Sequence, residues 1–431
     1  MKKLEDFKKL ALIGIPAAAA VIAFVMLFTL IFSQNASMKV QADDLMKGIT
    51  PQKVEHVELS EQFLQSTANF SVDLFKKSYT KGKNSLVSPT SVYMALGMTA
   101  NGADGSTLKE FEALLGKQAI NINELNSYYN TIADKLTTVQ GDKVNIANSI
   151  WYKNDSSLNV KKDFLQTNAD YYNAAAYKAD FNSEQTVQDI NNWVKANTGK
   201  QIDKIVDKID ANTVMYLVNT VYFDAQWEVP YNGESVHRDN FSLADGSKKS
   251  VDFMNSIENQ YIKDTNAEGF IKPYKDKGYS FVALLPDYGV NIDGYISSLS
   301  GSKFINLIKN RTGAAVVVAL PKFKSDYSIQ LEEPLKQMGL KDCFDEDKAD
   351  FSKMVSSSKG NIYISDVLHK TFISVDTKGT KASAATKVEF KLGGGIDISK
   401  SVILNRPFVY AIIDNETKLP LFIGTMMNPQ T

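Results

Sequence analysis

The stretch TKASAATKVEFKL, residues 380–392, alternates from end to end. Thr380, Ala382, Ala384, Thr386, Val388, Phe390 and Leu392 fall on one side of an extended chain, with Lys381, Ser383, Ala385, Lys387, Glu389 and Lys391 on the other. A period of two specifies a half-buried strand, yet 13 residues is more than double the common strand length of about 5–6. The core-facing side begins small and becomes bulky, and the run stops at Gly393-Gly394-Gly395, where backbone freedom is greatest. These residues alone admit two readings: a strand-forming segment beside a protease-accessible tip, or an edge hairpin closed by a glycine turn.

Away from this stretch the pattern is α+β. Ser60 is placed to cap a helix whose Leu64, Ala68, Val72 and Phe75 share a face, and Pro89 to Ala100 reads as a second helix. Thr107 and Glu110 form a capping-box pattern before an apolar run that stops at Gly116, and further helices are expected at 122–137, 161–172 and 185–197. Strands are expected at 214–223, 279–286, 314–323, 361–368, 408–413 and 419–424. Helices early and strands late argue against alternating βαβ units, and no repeat or Pro/Gly-rich break divides residues 59–431.

Lys+Arg number 48 against Asp+Glu 49 in 431 residues, a net charge of −1 that gives no electrostatic basis for nucleic-acid binding. Hydrophobic content of 44% with 23% charged residues is that of a folded chain. One cysteine, Cys343, excludes an internal disulfide framework, and His56, His237 and His369 lie far apart in sequence, so no metal site and no cofactor is expected. Residues 11–32, ALIGIPAAAAVIAFVMLFTLIF, carry no charge over a length that spans a bilayer, which needs about 20 apolar residues. Lys2, Lys3, Lys8 and Lys9 outweigh Glu5 and Asp6 within residues 1–10, which places the N-terminus in the cytosol and the remaining chain outside. The reading is a single-pass signal-anchor in the cell membrane; a cleaved signal peptide, giving a secreted protein, is the competing one. Residues 33–58 are polar and read as a tether.

Several motifs resemble those of one family, the serpins. The family's hinge, a Glu-x-Gly-Thr followed by small residues, is matched by Thr377-Lys378-Gly379-Thr380-Lys381-Ala382-Ser383-Ala384-Ala385-Thr386, with Thr377 in place of the Glu. Upstream stands Val367-Leu368-His369-Lys370, ten residues before the hinge glycine. Asn84 to Ser91 is similar to the family's N-x-x-x-S-P-x-S segment, and Leu217 to Phe223 with Trp227 resembles its L-x-N-x-x-x-F and tryptophan. Asn192-Trp193-Val194, Leu320 to Phe323, Leu335 to Phe344 and Asn405 to Phe408 continue the series in order. The match is that of a membrane-anchored or secreted bacterial member.

The resemblance implies three β-sheets, about eight or nine helices and an exposed reactive loop. A target protease, an extracellular serine enzyme or a cysteine one, cuts the loop and is trapped as an acyl-enzyme when the loop inserts into the main sheet. Gly379, Thr380, Ala382, Ser383, Ala384, Ala385 and Thr386 are then the hinge. Ser88, Ser91, Asn219 and His369 form a polar cluster where strands part, and Trp227 lies near the top of the opening sheet. Counting from Gly379 by family spacing puts the cut after Gly393, before Gly394; Leu392 and Lys391 are the other candidates. Glycine or leucine at the cut suits an elastase-like or subtilisin-like enzyme. Other partners are the bilayer through residues 11–32 and no nucleic acid, and the chain is expected to be a monomer. A non-inhibitory binding or structural role is the alternative within the family. An anchored hydrolase with a Ser-x-x-Lys nucleophile is the rival outside it, from Ser78/Lys81, Ser300/Lys303 and Ser356/Lys359, but its companion K-T-G is absent.

Overall fold

Ser60 starts the first helix of the described residues, Glu61–Ser78, by accepting a hydrogen bond from the Phe63 amide on its hydroxyl, at 3.2 Å. Glu61 in the first turn and Lys76 and Lys77 in the last complement the helix dipole. The next helix, Pro89–Ala100, is buried on every side and lies between the strands Met215–Gln226 and Pro420–Met426. These elements belong to a computed structural model that describes residues 40–117, 119–137, 143–210, 213–380 and 400–430.

Among the described residues there are nine α-helices and three substantial sheets, with one small antiparallel pair of strands distant in sequence, Leu158–Val160 and Val355–Ser357. The main sheet has seven strands in the order Asp43–Asp44, Ala175–Ala179, Lys143–Lys153, Met215–Gln226, Gly379–Thr380, Asp366–Val375 and Phe323–Gln330. A six-stranded sheet includes Tyr279–Pro286, Phe408–Asp414 and Pro420–Met426. Tyr279–Pro286 is buried on both faces, because Phe281, Ala283 and Leu285 enter one apolar cluster while Val282 and Leu284 enter another. The third sheet joins Lys400–Ile403, Val316–Pro321, Lys248–Glu258 and Val236–Ser242.

Three sequence expectations are corrected. The helix at 107 starts earlier, as Gly105–Gly116, with the Asp104 carboxylate accepting from the Gly105 amide. Thr107 Oγ1 is instead an acceptor for the Asp350 amide, and Glu110 accepts from the amides of Lys341 and Asp342. The apolar run 314–323 divides at Lys322, with Val316–Pro321 in the third sheet and Phe323–Gln330 in the main one. The run at 361–368 becomes strand only from Asp366, and continues to Val375 through the polar His369-Lys370-Thr371.

Residues 40–58 run along the body. Asp43–Asp44 covers the edge of Ala175–Ala179, and the amides of Ala42, Gln52 and Val57 donate to Asp189, Asp170 and Thr131 at 2.8, 2.7 and 3.0 Å. Leu45, Met46 and Ile49 pack against the main apolar cluster and Val40 and Ala42 against a second, so the few apolar residues of this mostly polar segment face the body. No helix among the described residues is long and apolar enough to cross a membrane; residues 11–32 lie outside them.

Candidate functional site

The main sheet forks at its centre. Met215–Gln226 and Asp366–Val375 pair in parallel from Tyr216 and Asp366 as far as Val221 and Thr371, and above that point they separate. Gly379–Thr380 sits in the gap, antiparallel to both: Thr380 is opposite Val375 on one side and Ala225 on the other, and Gly379 is opposite Gln226. The first residue of the alternating stretch therefore already holds a strand position. Thr380 is fully buried, with its hydroxyl 2.5 Å from the Tyr274 hydroxyl.

Several groups fix the turn that leads into the gap. The Asp376 carboxylate accepts from the amides of Lys378 and Gly379, at 2.8 and 3.3 Å. A Cβ at Gly379 would lie 2.1 Å from the Ala225 carbonyl oxygen, so no side chain fits this close approach. Trp227 grips the turn twice, with its amide donating to the Lys378 carbonyl and its indole N–H to that of Asp376, both at 2.9 Å. The Tyr231 amide donates to the Thr377 carbonyl at 2.8 Å, and the Trp227 ring stacks on Tyr274 with centroids 4.6 Å apart. Thr377, which stands where the resemblance has Glu, thus contributes through its backbone.

Below the fork, Ser88, Ser91, Asn219 and His369 come together as a fully buried cluster. His369 and Asn219 face each other across the parallel pair. His369 Nε2 accepts from the Ser88 amide at 3.0 Å, which leaves the proton on Nδ1 to be donated to Asn219 Oδ1 at 2.7 Å. The Asn219 amide group then donates towards Ser91 and towards Asn148 Oδ1. Burial drives the His369 pKa down from 6.5 to about 3, so the ring is neutral and the tautomer fixed. Asn148, opposite Asn219 in the neighbouring strand, was not among the expected residues. Its signal was an asparagine in the middle of the strand pattern VNIANSIWY, where an amide needs a buried partner.

The lysines of the rival Ser-x-x-Lys pairs are all engaged in ion pairs elsewhere. Ser300 caps the helix Gly301–Lys309, and Lys303 pairs with Asp264 at 2.8 Å. Lys81 and Lys359 pair with Asp293 and Asp155, at 3.1 and 3.0 Å. Cys343 is buried and its thiol pKa pushed up by that burial, as suits a small apolar filler. Among the described residues no group of three His, Cys, Asp or Glu could hold a metal ion. Ala382, Ser383, Ala384, Ala385 and Thr386 of the hinge, and Lys391, Leu392, Gly393 and Gly394 at the expected cut, lie outside the described residues.

The main sheet is thus divided at its centre, with a tethered two-residue strand in the division and a buried polar cluster beneath. The family model for Serpin (serine protease inhibitor) matches residues 65–429, and the chain belongs to that family. It is similar to the crystal structure of the thermophilic serpin tengpin in its native state, with a TM-score of 0.87 and 51% identity over 90% of this chain and 100% of that one. The latent state of tengpin is similar at a TM-score of 0.77 and 49% identity, covering 87% and 100%. A leukocyte elastase inhibitor of Xenopus tropicalis is 30% identical over 86% of this chain and 100% of its own. The protein is a protease inhibitor, and not itself an enzyme.

Proposed function

We propose that the protein traps a serine protease as a suicide substrate, by inserting residues 380–392 between Met215–Gln226 and Asp366–Val375. The observation that carries this reading is the pairing of Gly379–Thr380 with both strands at the mouth of the fork. Insertion then propagates downward from a strand already started, with Ala382 and Ala384 following Thr380 on the core-facing side and Val388, Phe390 and Leu392 burying last. Small residues at the start suit a gap that must open before it gains contacts. The cluster of Ser88, Ser91, Asn219, Asn148 and His369 is the latch, because the strands must part there for the new one to pass.

The favoured target is an elastase-like or subtilisin-like enzyme that cuts after Gly393 or Leu392, and a relative named as an inhibitor of leukocyte elastase supports this. Residues 11–32 act as a membrane anchor that leaves the inhibitor domain, a monomer, outside the cell; the uninterrupted apolar run supports this. The test is to mix the protein with a panel of serine and cysteine proteases and look for SDS-resistant complexes. Mass spectrometry of the released peptide should give a start at Gly394 or Gly393. Loop cleavage without a stable complex for every enzyme overturns the trapping mechanism and favours the non-inhibitory role.

A further inference from the structure

Lys272 is the one lysine or arginine among the described residues that is buried. It stands in the strand Ala267–Pro273, and its Nζ donates to Glu258 Oε1 at 2.7 Å, with side-chain exposures of 2% and 9%. Ser256 Oγ donates to the same carboxylate oxygen at 2.6 Å, and the Tyr231 hydroxyl lies 3.4 Å from that Oγ. Burial and the Glu258 charge both push the Tyr231 phenol pKa up, so this hydroxyl stays protonated. Taking two charges out of water is costly, and an apolar pair of similar volume is often as stable or more so. Stability alone therefore gives no reason for a charge at this place.

The surroundings give one. The Lys272 ammonium lies over the Tyr231 ring, 4.5 Å from its centroid, and over that of Trp227 at 5.5 Å. The two rings stand at 88° with centroids 6.5 Å apart, so a single cation faces both. Two residues after Lys272, Tyr274 stacks on the other side of the contact, at 11° to the Trp227 ring, and brings its hydroxyl to that of Thr380. The backbones are joined as well, with the Glu228 amide donating to the Pro273 carbonyl at 3.0 Å and the Lys275 amide to that of Gln226 at 2.8 Å. Trp227 and Tyr231 are the two residues whose amides hold the Lys378 and Thr377 carbonyls. One buried cation thus ties together both side chains whose backbones grip the turn before Gly379.

We propose that Lys272, held by Glu258, is a positioning residue for protease trapping: its ammonium fixes the Trp227 and Tyr231 rings and, through the amides of those residues, the register in which the hinge enters the main sheet. This rests on the reading of the protein as an inhibitor that works by loop insertion. Apolar packing would hold the two rings near one another, whereas attraction of one cation to both ring faces also sets their angle. Glu258 holds the ammonium in place from the opposite strand. Without the cation the grip on Lys378 and Thr377 loosens, insertion starts later, and more of the cleaved inhibitor is released as spent substrate.

The experiment combines hydrogen exchange of the full chain with the stoichiometry of inhibition, the moles of inhibitor consumed per mole of a protease that gives SDS-resistant complexes. The neutral pair Lys272→Met with Glu258→Gln leaves no buried charge unpaired. It should speed exchange at the Trp227 and Tyr231 amides at least tenfold, leave Ile423 in the six-stranded sheet within about twofold, and raise the stoichiometry at least threefold. Lys272→Arg keeps a cation over both rings, and should hold exchange and stoichiometry within about twofold of wild type. Tyr231→Leu should speed exchange at the Trp227 amide by a similar factor to the neutral pair, and combining the two should add less than about twofold, because both remove one contact. Unchanged exchange in the neutral pair, no rescue by arginine, or effects that multiply in the combination overturn the positioning role. Faster exchange with unchanged stoichiometry overturns its link to trapping. If the neutral pair does not fold, Tyr231→Leu and Lys272→Arg decide the question by the same thresholds. The exchange readouts need no protease, so failure of the wild type to form complexes overturns the trapping reading while the grip of Lys272 on the hinge is still judged by exchange.

Discussion

His369 has no carboxylate in its hydrogen bonds, only the Ser88 amide and Asn219, so its neutrality follows from burial. The unfolded chain takes up a proton on this ring near pH 6.5 while the folded one resists until about pH 3. Its contribution to stability is therefore complete above pH 6.5 and is lost as pH falls towards 3, at up to about 1.4 kcal/mol per pH unit. Asp366, three residues earlier, opposes it. Burial raises its carboxyl pKa from 3.8 to about 6, so its contribution is lost as pH rises through that interval, and the two effects offset between about pH 4 and 6. Urea unfolding of the wild type and His369→Gln isolates the histidine: the stability difference, about 1–3 kcal/mol at pH 7, should shrink on going to pH 4. A constant difference contradicts a neutral buried ring. At Gly379, substitution by Ala forces a Cβ against the Ala225 carbonyl, and overpacking of this sort costs about 1–3 kcal/mol. The expected result is faster hydrogen exchange at the Trp227 amide, which loses its hold on Lys378; unchanged exchange contradicts the tight fit.

The element that matters most is the alternating stretch, and its register is testable. Thr380 is buried between two strands, so in the proposed insertion Ala382 and Ala384 would take the same side. Ala384→Arg would carry a charge into the core-facing side. It should convert the inhibitor into a substrate, with the loop cut at the same bond but SDS-resistant complex reduced at least tenfold. Complex formation at the wild-type level contradicts the register. Much at this scale was legible beforehand. The helices Pro89–Ala100 and Ile122–Thr137 and the strand Tyr279–Pro286 have the bounds their patterns imply, because each is long, periodic or apolar throughout. Ser88, Ser91, Asn219 and His369, distant in sequence, lie together as one buried hydrogen-bonded cluster. Less was visible where tertiary partners decide. Thr107 was spent on Asp350 rather than on its own helix, Lys322 divides a continuous apolar run between two sheets, and Asp43–Asp44 forms an edge strand through its backbone alone. The two-sided pairing of Gly379–Thr380 was also beyond sequence reasoning, since it depends on where two distant strands separate.

At the scale of the whole molecule, the fold holds its central strands together only over the lower part of their length. The parallel register ends at Val221 and Thr371, and a two-residue strand occupies the opening above. In the proposed mechanism the intact loop keeps the remainder of that strand out, and cutting it frees the chain to complete the sheet. Val388, Phe390 and Leu392 would then contribute about 1.5–3 kcal/mol each on burial, and each new ladder hydrogen bond about 0.5–1.5 kcal/mol. The most direct test is thermal unfolding of the intact protein against the same protein nicked once within residues 390–396, both as a single chain or its two associated pieces. The account predicts that nicking raises Tm by at least about 10 °C, whereas equal or lower Tm for the nicked form would contradict loop insertion as the source of inhibition.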